Sequence, residues 1–342
     1  MPRDSDAPEL GVVAIGRNEG ERLRRCLESV RKQCELVVYV DSGSQDGSVA
    51  LARGMGVEVV ELDMSIPFTA ARARNEGWKH LRELRPRLGF VQFVDGDCEL
   101  QSGWIEAGMQ ALAARPDAVV VCGRRRERFR NATIYNRLCD IEWNTPIGET
   151  ESCGGDALMR TKAFEQVGGF DPSLICGEEP DLCRRMRAQG HVILRIDADM
   201  TLHDAAMTRI SQWWRRSIRS GFGAAASTFR NGAAAPRSDR RCVRGALLWS
   251  GGFPSLLAAG VLGAVLLGSL ALALTVVGGA VAVILVQVLR IARNRTAPGE
   301  DTTDVRLYAA SCMAAKLPQA IGILRFWRLR MRGITPRLIE YK

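Results

Sequence analysis

Across the first two hundred residues, short apolar runs alternate with longer stretches of helical spacing. "LGVVAIG" (10–16), "LVVYVD" (36–41), "VEVVEL" (57–62), "GFVQFVD" (89–95) and "DAVVVCG" (117–123) predict strands. Between them "EGERLRRCLESVRKQ", "QDGSVALARGMG", "TAARARNEGWKHLREL" and "SGWIEAGMQALAAR" predict helices. Continuous apolar strands alternating with helices of ten or more residues imply a mainly parallel sheet covered on both faces. Ligands of such sheets bind beyond the carboxyl ends of the strands, where Asp41 and Asp95 fall.

The pattern breaks into a polar stretch over 124–155 and resumes with "DALMRTKAFEQVGGF", "EEPDLCRRMRAQG" and "VILRID". "TRISQWWRRSIRSG" (208–221) predicts an amphipathic helix, and the Ala/Gly-rich "FGAAASTFRNGAAAP" reads as a linker. From Gly245 to Leu289 no residue is charged, a run of 45. A bilayer core takes about 20 apolar residues per helix, so this run predicts two crossings, with a turn near Gly268 and Ser269. The expected organisation is a tail (1–9), an α/β domain (10–222) and a basic linker (223–244). A membrane helical hairpin (245–289) and an interfacial or re-entrant helix with a basic tail (290–342) follow.

Charged residues are 25% of the 342 and apolar ones 46%, which fits a folded protein. The net charge of +9 is concentrated: nine arginines and one acid, Asp239, lie between Ala205 and Arg244. Beside a membrane segment, that stretch suits anionic lipid headgroups or phosphates, and no nucleic-acid motif accompanies it. Arginines flank both ends of the uncharged run (Arg237 to Arg244, then Arg290, Arg293 and Arg295), predicting that both ends are cytosolic. The polar first residues give no sign of a secretory leader, so the α/β domain is expected in the cytosol. Ten cysteines without a CxxC pair read as reduced thiols, and three histidines without paired spacing make a structural zinc site improbable.

Four clusters fall at element ends: "VDSGSQDGS" (40–48), "VDGDC" (94–98), "GEEPDL" (177–182) and "LHDAA" (202–206). Two carboxylates flanking a glycine can gather a hard divalent cation; a hairpin turn is the bland alternative. A glutamate at a helix start can act as a base when burial raises its pKa, or can simply favour the helix dipole.

In this order the clusters resemble glycosyltransferase family 2 on the GT-A fold, over about residues 10–220. The members most similar in pattern carry C-terminal membrane helices and build cell-surface polysaccharide. The resemblance implies that Asp97 ligates Mg2+ or Mn2+, with His203 as a further metal ligand, and that Asp95 contacts the nucleotide or a metal-bound water. It implies that Arg17, Asn18, Glu19, Asp41, Ser42 and Arg74 line the nucleotide-sugar site. Glu179 would be the general base, with Asp181 in support, and Gly154, Gly155 and Asp156 would flank the acceptor.

"QWWRR" (212–216) resembles the QxxRW motif of polysaccharide synthases, so Gln212 and Arg215 would hold diphosphate or acceptor. Arg216 replaces the final tryptophan, which favours single-sugar transfer over processive synthesis. The expectation is an inverting, metal-dependent glycosyltransferase at the cytosolic face of the inner membrane. It would move a sugar from a nucleoside diphosphate to a lipid-linked or other glycan acceptor. The rivals are a synthase loading polyprenyl phosphate and a non-catalytic sugar-nucleotide sensor.

Overall fold

The computed structural model describes residues 9–295 and 300–334. Most of the expected tail and the last eight residues of the basic end therefore lie outside the described residues. The chain divides into two compact units. The first runs to Asn131 and includes Trp143–Ala206; the second takes Ala132–Glu142 and the chain from Met207 on.

The elements of the first unit alternate as the apolar pattern predicts. They are β1 (Glu9–Gly16), α1 (Glu21–Arg31), β2 (Val37–Asp41), α2 (Ser48–Gly54), β3 (Glu58–Glu61) and α3 (Ala70–Leu84). Next come β4 (Leu88–Asp95), β5 (Cys98–Leu100), α4 (Trp104–Ala114) and β6 (Ala118–Glu127). α5 (Ile134–Trp143), which falls almost wholly in the second unit, intervenes before β7 (Gly148–Glu149), β8 (Ala157–Arg160), α6 (Thr161–Gln166), α7 (Glu178–Ala188) and β9 (Val192–His203).

The sheet order is β3-β2-β1-β4-β8-β6-β9-β5, with β7 also on β9. β1 to β4 pair in parallel, as do β6 and β9, whereas β8 is antiparallel between β4 and β6. Central strands such as β2 are buried along their whole length, so nearly every position is apolar. α3 starts with the Thr69 hydroxyl accepting from Arg72 N at 3.1 Å and turns Ala71, Ala73 and Gly77 toward the sheet.

Two expectations change here. The segment after Asp97 does not enter a helix at once: β5 comes first, and it pairs with β9 rather than folding back on β4. The "polar break" is also more ordered than its composition suggests, because β6 runs on to Glu127 and α5 follows.

The second unit continues with α8 (Ile210–Asn231) and α9 (Arg237–Leu247), which passes through a π-helical turn into α10 (Phe253–Leu266). α11 (Leu270–Arg293), α12 (Thr302–Ala314) and α13 (Lys316–Met331) complete it. The expected linker (223–244) is helical at both ends: 223–231 belong to α8 and 237–244 to α9. Here α8 crosses α13 closely, with Ala225 packed by Ala320 and Ile323. A Cβ on Gly221 would strike the backbone of Gln319, and one on Gly322 the backbone of Ile218. Beside that crossing Phe222 and Phe326 meet edge to face at 5.5 Å.

The expected hairpin is present as α10 and α11, joined at Gly268, with the Ser269 hydroxyl capping α11 at Leu272 N. Its leucines face outward; Leu266 is 79% exposed, which suits lipid. Among the described residues three helices are long and apolar enough to cross a membrane: Arg237–Leu266, Leu270–Arg293 and Thr302–Met331.

Candidate active site

The parallel register brings the sequence clusters together. Gly16 at the end of β1 lies opposite Asp41 of β2, and Ile15 lies opposite Asp95 of β4. The loop after β1 is latched to the loop after β2. Asn18, at positive φ, donates its N–H to Ser44 Oγ at 2.9 Å and accepts from Gln45 N at 2.8 Å. Arg17 stacks over Phe68 at 4.8 Å, and Glu19 pairs with Arg22 at 2.8 Å. Ser42 is buried, its N–H donating to Gly16 O.

Asp41 departs from its expected role. It is buried, and its two oxygens accept from Tyr39 OH, Gly43 N, Ser44 N and Ser44 Oγ at 2.5–2.9 Å. The carboxylate is occupied in holding its own loop, so it shapes the mouth of the site rather than projecting into it.

Asp95 sits between two buried cations. Arg74 donates to its Oδ1 at 2.8 Å, and an Arg125 nitrogen lies 3.5 Å from Oδ2. Arg74 also reaches Glu178 at 2.9 Å, and Arg125 reaches Asp156 at 2.7 Å. Burial works against both guanidinium charges, but the surrounding carboxylates outweigh it and hold each pKa above its ordinary value. Asp156 is fully buried and accepts from Asp95 N and Thr201 Oγ1. It is thus a brace beneath Asp95, not an exposed acceptor contact. A Cβ on Gly155 would lie 2.7 Å from an Asp95 oxygen and 2.9 Å from Arg74, so any larger residue would displace that ion pair.

Asp97 and His203 converge as expected. Asp97 Oδ2 is 3.2 Å from His203 Nε2, both side chains are buried, and the register of β5 with β9 puts Cys98 opposite His203. On the other side of the ring, Glu127 Oε2 lies 3.8 Å from Nδ1, and Trp143 packs edge-on at 4.7 Å. That carboxylate is beyond hydrogen-bond distance and places negative charge behind the ring, while Nε2 faces Asp97. Two buried donors of O and N type fit a divalent ion such as Mn2+ or Mg2+. Cys98 Sγ completes a cluster within 4.8 Å, although burial pushes its thiol well up.

Glu179 begins α7 and is held by the loop before β8: Cys153 N and Gly154 N both donate to its Oε1, at 2.8 and 2.7 Å. Burial pushes its carboxyl up to about 7, with the Glu178 charge adding to the shift and the two N–H donors opposing it. Asp181, by contrast, is turned away from chemistry. Its oxygens pair with Arg184 and Arg185 on its own helix, and Arg185 continues to the carbonyls of Val167 and Gly169. It anchors α7 to the preceding loop.

Gln212 and Arg215 lie on α8 in the second unit. Gln212 Oε1 accepts from Thr208 N and Arg209 N at 2.8 and 2.9 Å, closing the start of the helix, while Arg215 is exposed. Arg216 pairs with Glu142. Sequence reasoning missed Arg125, Glu127 and Glu178. The first two alternate on one face of β6 within "GRRRER", so the period of a strand could have separated them from the solvent-facing Arg126.

Residues 12–168 match the family model described as glycosyl transferase family 2. The glycosyltransferase AglE of Haloferax volcanii is 26% identical over 55% of this chain and 64% of its own length. A pre-mycofactocin glycosyltransferase of Mycobacterium tuberculosis is 26% identical over 96% of this chain and 68% of its own. The chain therefore spans about two thirds of the length of these relatives. Among solved structures, a mannosyltransferase from Pyrobaculum calidifontis, in complex with GDP-Man and Mn2+, superposes with a TM-score of 0.60. It shares 19% identity over 95% of this chain and 89% of that one.

Proposed function

We propose, from the match of residues 12–168 to the glycosyl transferase family 2 model and from the fold shared with the Pyrobaculum structure, that this chain is a metal-dependent glycosyltransferase of the inverting type. Its donor is a nucleoside-diphosphate sugar and its acceptor a lipid-linked or other glycan hydroxyl. The observation that carries this reading is Glu179: a carboxyl raised to about 7, aimed by two backbone N–H groups and set beside the Asp95–Arg74 pair through Gly155. A base of that pKa is half-ionised near neutrality and can take the acceptor proton as the hydroxyl attacks C1 of the sugar. Attack from the face opposite the leaving group inverts the anomeric centre.

Asp97 and His203 would hold the divalent cation, with the Glu127 carboxylate adding negative charge behind the imidazole. When bound, that cation supplies positive charge for the departing diphosphate. The complex of the Pyrobaculum neighbour with GDP-Man and Mn2+ supports both the donor class and the metal. Arg74 and Arg125 fix Asp95 in the same wall, so the donor meets a preorganised surface. The loops held by Asn18 and Asp41 present backbone and short side chains to the nucleobase.

The apolar helices that follow support work at a membrane, and the arginines at both ends of the uncharged run support a cytosolic catalytic unit. Membranes containing the chain, supplied with Mn2+ and a panel of labelled sugar nucleotides, should yield one labelled product in the lipid or glycan extract. Loss of that label in Glu179→Gln, with donor binding retained, is the expected signature. Binding without any turnover in the wild-type chain would favour a sensor instead. Near-normal turnover in Glu179→Gln would favour an acceptor that is already an anion, such as polyprenyl phosphate.

A further inference from the structure

Cys153 and Cys183 stand with their sulfur atoms 3.5 Å apart, on opposite sides of the joint that holds Glu179. Cys153 belongs to the loop whose N–H groups grip that glutamate, and Cys183 lies four residues beyond it on α7, on the same helix face. A Glu179 carboxylate oxygen joins the two sulfurs in a cluster whose three ligand atoms all lie within 4.8 Å of one another. Two thiols and one carboxylate form a different donor set from Asp97 and His203. Sulfur selects soft or borderline cations, whereas oxygen and imidazole also accept the harder Mn2+ and Mg2+.

We propose that Cys153, Cys183 and Glu179 form a second cation site, selective for a thiophilic divalent ion such as zinc, whose occupation takes Glu179 out of use as a base. Three protein ligands leave one tetrahedral position open. Gly154 is exposed and has nothing within 4 Å of where a Cβ would stand, which gives the ion a way in beside Cys153. On binding, each thiol gives its proton to solvent and its sulfur donates an electron pair to the ion. Each thiol must lose its proton to bind, so occupation strengthens as pH rises. The inhibitory half of the proposal rests on the base assignment of Glu179; the binding half does not.

The test uses the full chain in detergent, kept reduced by a phosphine, with Co2+ as the spectroscopic probe. Thiolate ligation produces a charge-transfer band and tetrahedral visible bands that zinc then removes by displacement. Cys153→Ser and Cys183→Ser should each lose the charge-transfer band, while Cys98→Ser, at the other cluster, should retain it. Two variants guard against one failing to fold. Absence of the band in the wild-type chain, or its survival in both variants, would overturn the proposal, as would its loss in Cys98→Ser. With excess Mn2+ present, zinc should abolish wild-type turnover but leave Cys153→Ser near its own zinc-free rate. Should the band form and zinc leave wild-type turnover unchanged, the cation site stands and the base assignment of Glu179 falls.

Discussion

Oδ2 of Asp97 lies 3.2 Å from Nε2 of His203, although the two residues come from distant parts of the catalytic unit. The pairing of β5 with β9 creates that contact, so the two proposed metal ligands depend on a three-residue strand. Asp97→Ala removes one ligand without opening the core. We predict a fall in kcat of about 10³-fold or more, as loss of several kcal/mol of charge stabilisation implies. Circular dichroism should show the fold retained, and EDTA should reproduce the loss in the wild-type chain. Turnover that withstands both treatments removes the metal from the mechanism.

Glu179→Gln keeps the shape of the side chain and its grip on Cys153 and Gly154 while removing the proton acceptor. The expected fall in kcat is roughly 10²–10⁴-fold, with little change in donor affinity. Initial rates under saturating and limiting donor separate the two.

The pH profile carries a sign. The competent form of Glu179 is ionised and its carboxyl is raised to about 7, so kcat/KM should climb through that pH as the base loses its proton. Stability moves the opposite way. The folded state keeps the proton to higher pH than the unfolded one, so this group's contribution is present at acid pH and is lost as pH rises through about 7. That contribution is at most about 3 kcal/mol. Glu179→Gln should flatten both dependences, the first in rate profiles and the second in urea titrations at several pH values.

Arg125→Met tests the brace beneath the site. It leaves the fully buried Asp156 without its cation, and removing one member of a buried pair costs about 3–5 kcal/mol. Arg125→Lys should cost less, because a charge remains. Thermal unfolding of the two variants, compared with Arg126→Met at an exposed ion pair, checks the ranking. Equal losses at Arg125 and Arg126 would contradict it.

What could be read from the sequence was local. Asp97 and Glu179 stand in short motifs whose chemistry is spelled by adjacent residues, and the alternation of strands and helices placed them at one edge. Arg125 and Glu127 escaped notice because a run of four arginines and one glutamate looks like a solvated face until strand alternation is applied. Asp41 was misjudged for a different reason. Its partners are the backbone N–H groups of its own turn, which composition cannot rank against a ligand. Residues 222–231 were read as a linker because Ala and Gly suggest flexibility when isolated. Gly221, just before that stretch, and Gly322 permit a close helix crossing, and Ala225 packs in it.

The last prediction concerns membrane topology. α11 has 24 residues, about 36 Å of helix, and the uncharged part of the segment ending at Leu266 is of similar length, so each can span a core of about 30 Å. Thr302–Met331 is also apolar enough by composition, yet it is divided at Ala315 into α12 and α13. α13 buries Pro318, Ala320, Gly322 and Ile323 and crosses α8, while α12 buries Asp304, whose Oδ1 accepts from Arg137 at 2.6 Å. A buried ion pair and a helix face already packed on protein favour an interfacial position over a third crossing. We therefore predict that a cysteine at Gly268 is labelled by impermeant reagents from outside the cell, and that a reporter fused after Lys342 is reached only from the cytosol. A reporter reached from outside would make Thr302–Met331 a third span and break the arrangement in which both flanks of the hairpin share one side.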